Sequence, residues 1–227
     1  MTLRIVLGLC VALALATLLY RRWRREQVER SRAPERLFGR ASAVLEDATL
    51  EPTGRVSYPR LCGRYAGVPV QVWPVVDTLA VRRLPALWLL VTMQTSLPVA
   101  AKLDLMMRPA GASTFSNFDL LPHTLPAVAG FPQDGVLRTD DRARAPPATW
   151  LLGHLDVFQQ PRAKELLVSP QGLRLVWLLA EAERARYGVF RQAEFGAIEI
   201  DPAVLEDLLR RLLALRESIL VRARVTQ

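Results

Sequence analysis

The chain has 227 residues, is 51% hydrophobic, and carries 30 basic against 22 acidic side chains, for a formal net charge of +8. Two cysteines cannot staple a disulfide scaffold, because Cys10 falls inside an apolar run and Cys62 reads as a reduced, small apolar side chain in a strand. The basic excess does not argue for nucleic acid, since residues 1 to 40 hold nine arginines and three glutamates (+6), leaving 21 basic and 19 acidic side chains (+2) in the rest.

The first twenty residues read as a transmembrane anchor. The run from Ile5 to Tyr20 is uncharged and is followed at once by Arg21, Arg22, Trp23, Arg24 and Arg25. A helix of this length spans roughly 24 Å at about 1.5 Å per residue, against a hydrocarbon core of about 30 Å, and flanking arginines can snorkel to the interfaces. A cleaved signal peptide is the rival, because Ala14-Leu15-Ala16 fits a small-x-small site, but an arginine collar directly behind the span holds it in place. The charge imbalance orients the amino terminus outside and the remainder in the cytoplasm, at the inner membrane of a bacterium. Lipid acyl chains are the expected partner of residues 3–20. Anionic headgroups are the expected partner of Arg21, Arg22, Arg24 and Arg25, with Trp23 in the aromatic belt.

Residues 21–54 read as a basic connector. Pro34 ends any continuation of the first helix, and Leu37, Ala41, Val44, Leu45 and Ala48 recur at the spacing of a short amphipathic helix. From 55 the pattern turns to strands. Val68, Val70 and Val72 alternate with Pro69, Gln71 and Trp73, and Tyr65-Ala66-Gly67 closes a hairpin with the strand before it. Ala86 to Met93 is a continuous apolar strand. Leu103, Leu105 and Met107 share one face of the next strand, with Lys102, Asp104 and Arg108 on the other. The turn Ser96-Leu97-Pro98 joins these two strands into an antiparallel meander, and Pro59, Pro69 and Pro74 place the first strands at an edge or at bulges.

Residues 109–161 hold seven of the sixteen prolines and show no sustained period. Their apolar content, with Phe115, Phe118, Phe131 and Trp150 among it, predicts a loop that wraps over the sheet rather than a free linker. Within it, Gly111 to Asp119 can be an anion-cradling turn or, as preferred, a self-bonded turn. Ser169-Pro170 predicts a helix to about Arg186, although Leu173, Leu175, Trp177 and Leu179 also alternate as a strand would. A short hairpin over 189–200 and a second helix opened by Asp201-Pro202 complete residues 162–227. Arg184, Arg186 and Arg191, near Glu181, Glu183 and Glu194, read as a salt-bridged surface. The predicted class is therefore α+β: a transmembrane helix, then one domain (55–227) of strand meander, Pro-rich loop, helix, hairpin and amphipathic helix.

Chemistry is sparse. No phosphate loop, nucleophile elbow or dinucleotide fingerprint occurs, and the two histidines lack the companions that a metal site needs, so no cofactor and no metal are expected. The polar groups that could act catalytically are His154 with Asp156, as a general base and its orienter for a nucleophile such as Ser113 or Ser116, with His123 and Asp119 as further candidates. Two functions follow. One is a membrane-anchored, non-enzymatic domain that binds a protein partner as a scaffold. The other is an enzyme or a lipid- or small-ligand-binding module whose site lies under the 109–161 loop, where a cleft would be lined by those polar groups and by Phe115 or Phe118.

Overall fold

The computed structural model describes residues 17–18, 20–21, 36–53, 58–79, 84–126, 128–182 and 195–226. Its two compact units are residues 1–37 and 38–227. In the first, the described residues Thr17, Leu18, Tyr20 and Arg21 are helical. No helix among the described residues is long and apolar enough to cross a membrane, so the expected single-pass, membrane-anchored architecture gains no support from the fold. Most of the predicted span and of its collar, Arg22, Trp23, Arg24 and Arg25 included, lies outside the described residues.

The second unit is built on one antiparallel sheet of nine strands: β1 (Glu46–Glu51), β2 (Arg60–Tyr65), β3 (Val68–Asp77), β4 (Ala86–Gln94), β5 (Leu103–Met107), β6 (His123–Leu125), β7 (Gly135–Thr139), β8 (Ala163–Ser169) and β9 (Gly172–Glu181). Their order is β1-β2-β3-β4-β9-β8-β5-β7-β6. A single described α-helix in this unit, α1 (Pro202–Thr226), packs on β4 and β9.

This architecture replaces the predicted α+β arrangement at five places. The stretch expected to be a helix from Ser169 is instead the hairpin β8–β9, turning at Pro170 and Gln171. Tertiary pairing overrides the helix-favouring composition: Leu173, Leu175 and Trp177 lie opposite Met93, Val91 and Leu89 of β4, so alternation buries all three on one face. The predicted joining of the last two meander strands also fails. β4 pairs with β9, while β5 pairs with β7 and β8, and the meander stops at β4. The Pro-rich loop contains β6 and β7, strands too short to show a period in the sequence. The connector holds a 3-10 helix, Gly39–Val44, followed by β1 where amphipathic helix was expected, and the described residues 195–201 form no strand. Pro69 and Pro74 sit in the third strand from the edge. Pro74, opposite Leu89, lies beyond the end of β2 and so is flanked by one paired strand only, which is where a missing donor is tolerated. The arginines at 184, 186 and 191 fall outside the described residues.

The two faces of the sheet are unlike. On one, Val70, Val72, Leu89, Val91, Leu105 and Leu175 are buried, and α1, whose Leu205, Leu208, Leu209, Leu212 and Leu215 are also buried, packs against β4 and β9. Asp201 opens α1 as its cap, its Oδ1 accepting from the Ala203 N–H at 2.9 Å and its carbonyl from the Leu205 N–H at 3.1 Å. On the other face the alternating positions carry Trp73, Trp88, Leu90 and Met106 together with charged side chains, and a loop segment closes over them.

The β8–β9 turn is the tightest point of the fold. Gly172 has φ +143°, and a Cβ there would lie 2.1 Å from the Met93 carbonyl oxygen. Gly172→Ala is expected to destabilise the domain by more than about 4 kcal/mol, because backbone strain and a clash with a paired strand coincide. Leu209→Ala in α1, fully buried, is expected to cost about 2–5 kcal/mol. Urea denaturation checks both, and a glycine variant of wild-type stability would contradict the turn geometry.

Candidate functional site

The face opposite α1 is assembled by register. Trp73 lies opposite Leu90 across β3–β4, Leu90 opposite Val176 across β4–β9, Val176 opposite Glu165 across β9–β8, Glu165 opposite Met106 across β8–β5, and Met106 opposite Val136 across β5–β7. Strand alternation sends these side chains to one side and their neighbours toward the helix. One step along the ladder, Arg138 lies opposite Asp104.

A flap covers this face. After Arg108, which takes φ +45°, residues 109–121 cross over the sheet and are fixed at three points. Thr114 is tied to β3, its N–H donating to Asp77 Oδ1 at 3.4 Å and its hydroxyl donating to the Val76 carbonyl at 3.0 Å. Phe115 stacks on Trp88 with ring centroids 4.9 Å apart and planes tilted by 43°. Phe118 lies beneath the Arg138 guanidinium, 5.0 Å from ring to Cζ, and the same guanidinium donates to the Phe118 and Asp119 carbonyls at 3.5 and 3.3 Å. The flap also bonds to itself, with the Phe118 N–H donating to Ser116 Oγ at 3.1 Å and the Leu120 N–H to the Asn117 carbonyl at 3.0 Å. That is the self-bonded turn preferred for Gly111 to Asp119. Leu120, at its outer end, is 78% exposed.

Beneath and beside the flap lies a buried charge cluster. Glu165 is 0% and Asp104 2% exposed. Arg174 of β9 donates to Glu165 Oε1 at 2.5 Å. Burial pushes the Asp104 carboxyl well above the usual carboxylate range, the Glu165 charge adds to the rise, and Arg174 and Lys102 oppose it. The polar atoms that remain are the more telling feature. Among the described residues, the buried side-chain nitrogens and oxygens without a hydrogen-bond partner are Trp73 Nε1, Trp88 Nε1, Asp104 Oδ1, Arg138 Nε, Glu165 Oε2 and Arg174 Nε. They come from six strands, and the register places every one on the flap face.

The polar residues singled out from the sequence sit around this layer or away from it. Asp119 is on the flap, with Oδ1 3.9 Å from Arg138 Nη1. His123 is exposed on the edge strand β6, opposite Thr139. His154 and Asp156 lie where two 3-10 helices, Ala148–His154 and Asp156–Gln159, meet. Asp156 is ion-paired with Arg211 of α1, which holds its carboxyl below the ordinary range, while burial and then Arg222 lower the His154 pKa. Among the described residues, no group of three or more His, Cys, Asp or Glu is placed to hold a metal ion. An open pocket of about 310 Å3 between Ser96–Pro98 and the end of α1 offers Leu97, Leu220, Ala223 and Arg224 as lining.

The sequence reading named Phe115, Phe118 and the Asp104 side of its strand, but missed Arg138, Glu165 and Arg174. In the sequence Arg138 falls in the 109–161 loop, which has no sustained period, and Arg174 in a stretch of helical composition, so no pattern relates them to Asp104. The alternation of Leu173, Leu175 and Trp177, with Arg174 and Val176 between them, was the available signal.

The fold and this layer define a single antiparallel sheet with a helix across one face and a polar-bearing, flap-covered second face. No family model matches the chain, and no curated protein matches it. Among solved structures, the crystal structure of the mycobacterial trehalose monomycolate transport factor A is similar at a TM-score of 0.39 and 12% identity, over 80% of this chain and 96% of that one. A likeness at that level does not decide function.

Because burial raises the folded-state pKa of Asp104 above that of the unfolded chain, its contribution to stability is complete below the unfolded carboxylate range. It is lost as pH rises through the folded value. Asp104→Asn, which keeps the shape and removes the titration, is expected to flatten the fall in stability as pH rises above the ordinary carboxylate range. Urea midpoints measured across that range check it, and parallel wild-type and variant curves would show that Asp104 does not titrate as described.

Proposed function

We propose that this chain is a small-ligand-binding module whose site is the sheet face beneath residues 109–121. The observation that supports the reading is the gathering of six unpartnered buried polar atoms on that face, with none on the face against α1 among the described residues. Each such atom costs about 1–3 kcal/mol, so the set approaches the whole stability of an ordinary domain, about 5–15 kcal/mol. Ordered water or a ligand satisfies such a layer, and we assign it to a ligand that enters between flap and sheet. The flap suits that role: Thr114, Phe115 and Phe118 are separate anchor points, and a loop held at a few points opens more readily than a strand paired along its length. The reading assigns binding and no reaction.

Native mass spectrometry of the full chain purified from its own cells tests the proposal. A small molecule that stays bound in the gas phase, and whose occupancy falls severalfold in Phe118→Ala, is expected. A ligand-free spectrum at every protein concentration, from protein whose flap is protected from proteolysis, would refute it.

A further inference from the structure

The open hydrogen-bonding groups on the flap face are unequal in kind. Four are N–H donors, the indoles of Trp73 and Trp88 and the Nε of Arg138 and Arg174, against two acceptor oxygens, one on Asp104 and one on Glu165. The two carboxyl oxygens cannot satisfy four donors that come from four different strands. The second Glu165 oxygen is already taken by Arg174. Around these groups the lining is apolar and aromatic: Leu90, Met106, Phe115, Phe118 and Val176, with Trp73 and Trp88 packed against them.

Resting on the binding reading above, we infer that the ligand is an amphipathic anion: an acceptor-rich head, carboxylate or phosphate, that meets the Arg138 and Arg174 donors, and an apolar body that lies on the Trp–Phe layer. Donors aimed at an anion form charge-assisted bonds about twice as strong as neutral ones, which favours an anionic head over a hydroxyl of the same size. The apolar lining excludes water from the rest of the molecule and contributes by area. Arg138 has a second part in this scheme. It clamps Phe118 and the flap carbonyls, so a head group that recruits its guanidinium would also loosen the flap, and entry and recognition act through one side chain.

Isothermal titration of the full chain with dodecanoate, dodecyl phosphate and dodecanol, each below its micellar concentration, tests this. At least one of the two anions is expected to bind about tenfold or more tightly than the alcohol. Arg138→Met is expected to reduce that anion to the alcohol's level. Trp88→Phe, which removes one indole donor and keeps the ring, is expected to weaken the anion severalfold, and Arg40→Met, a surface pair with Glu199, to leave it unchanged. Which anion wins separates a carboxylate head from a phosphate head. Equal binding of alcohol and anions would overturn the anion inference while leaving the binding reading intact. No binding of any of the three overturns it as well, and the native mass spectrum then decides whether a different ligand occupies the face.

Discussion

The position of β9 between β4 and β8 is the constraint on which the rest of the structure depends. Through it the meander β1–β4 is joined to the strands β5–β8, and residues far apart in the chain become neighbours across one ladder. The turn before β9 must therefore be tight enough for Gly172 to pass against Met93, and no side chain fits there. Once β9 is fixed, alternation does the remaining work. Leu173, Leu175 and Trp177 go to the helix face, and Arg174 and Val176 to the other.

The two faces then meet different demands. The helix face is closed mainly by apolar contact, the buried leucines of α1 packing against β4 and β9, and such burial is non-directional and tolerant. The flap face mixes aromatic rings with two acids and two arginines in a water-poor layer, where a hydrogen bond counts for more and an unmet group costs more. Arg174 and Glu165 are well matched at 2.5 Å, and removing either partner leaves a buried charge, a change that costs about 3–5 kcal/mol in comparable pairs. A layer that served stability alone would be better filled by hydrophobic residues of the same volume. Its presence on one face only is what the proposed binding function accounts for.

Much of the sheet was legible in the sequence where a strand showed its own period. The Val68–Val70–Val72 alternation lies in β3, the apolar run from Ala86 in β4, and the two-faced pattern around Asp104 in β5. The Asp201-Pro202 cap opens α1 as its residues imply. What the sequence did not show was decided by partners rather than by local pattern. Residues 172–181 have the composition of a helix and become a strand because β4 and β8 wait on both sides, and β6 and β7 are too short to announce themselves. The site shared this fate. Phe115 and Phe118 stood out, yet Arg138, Glu165 and Arg174 come to one face only when the four strands β9, β8, β5 and β7 are ordered side by side.

A high-resolution crystal structure of the chain purified from its own cells tests the central claim most directly. The account predicts ordered non-protein density between residues 109–121 and the sheet, within hydrogen-bonding distance of Arg138 or Arg174 and against Trp88. No non-protein density on that face, with Asp104, Glu165 and the two arginine Nε atoms paired among themselves or with ordered water, would contradict it.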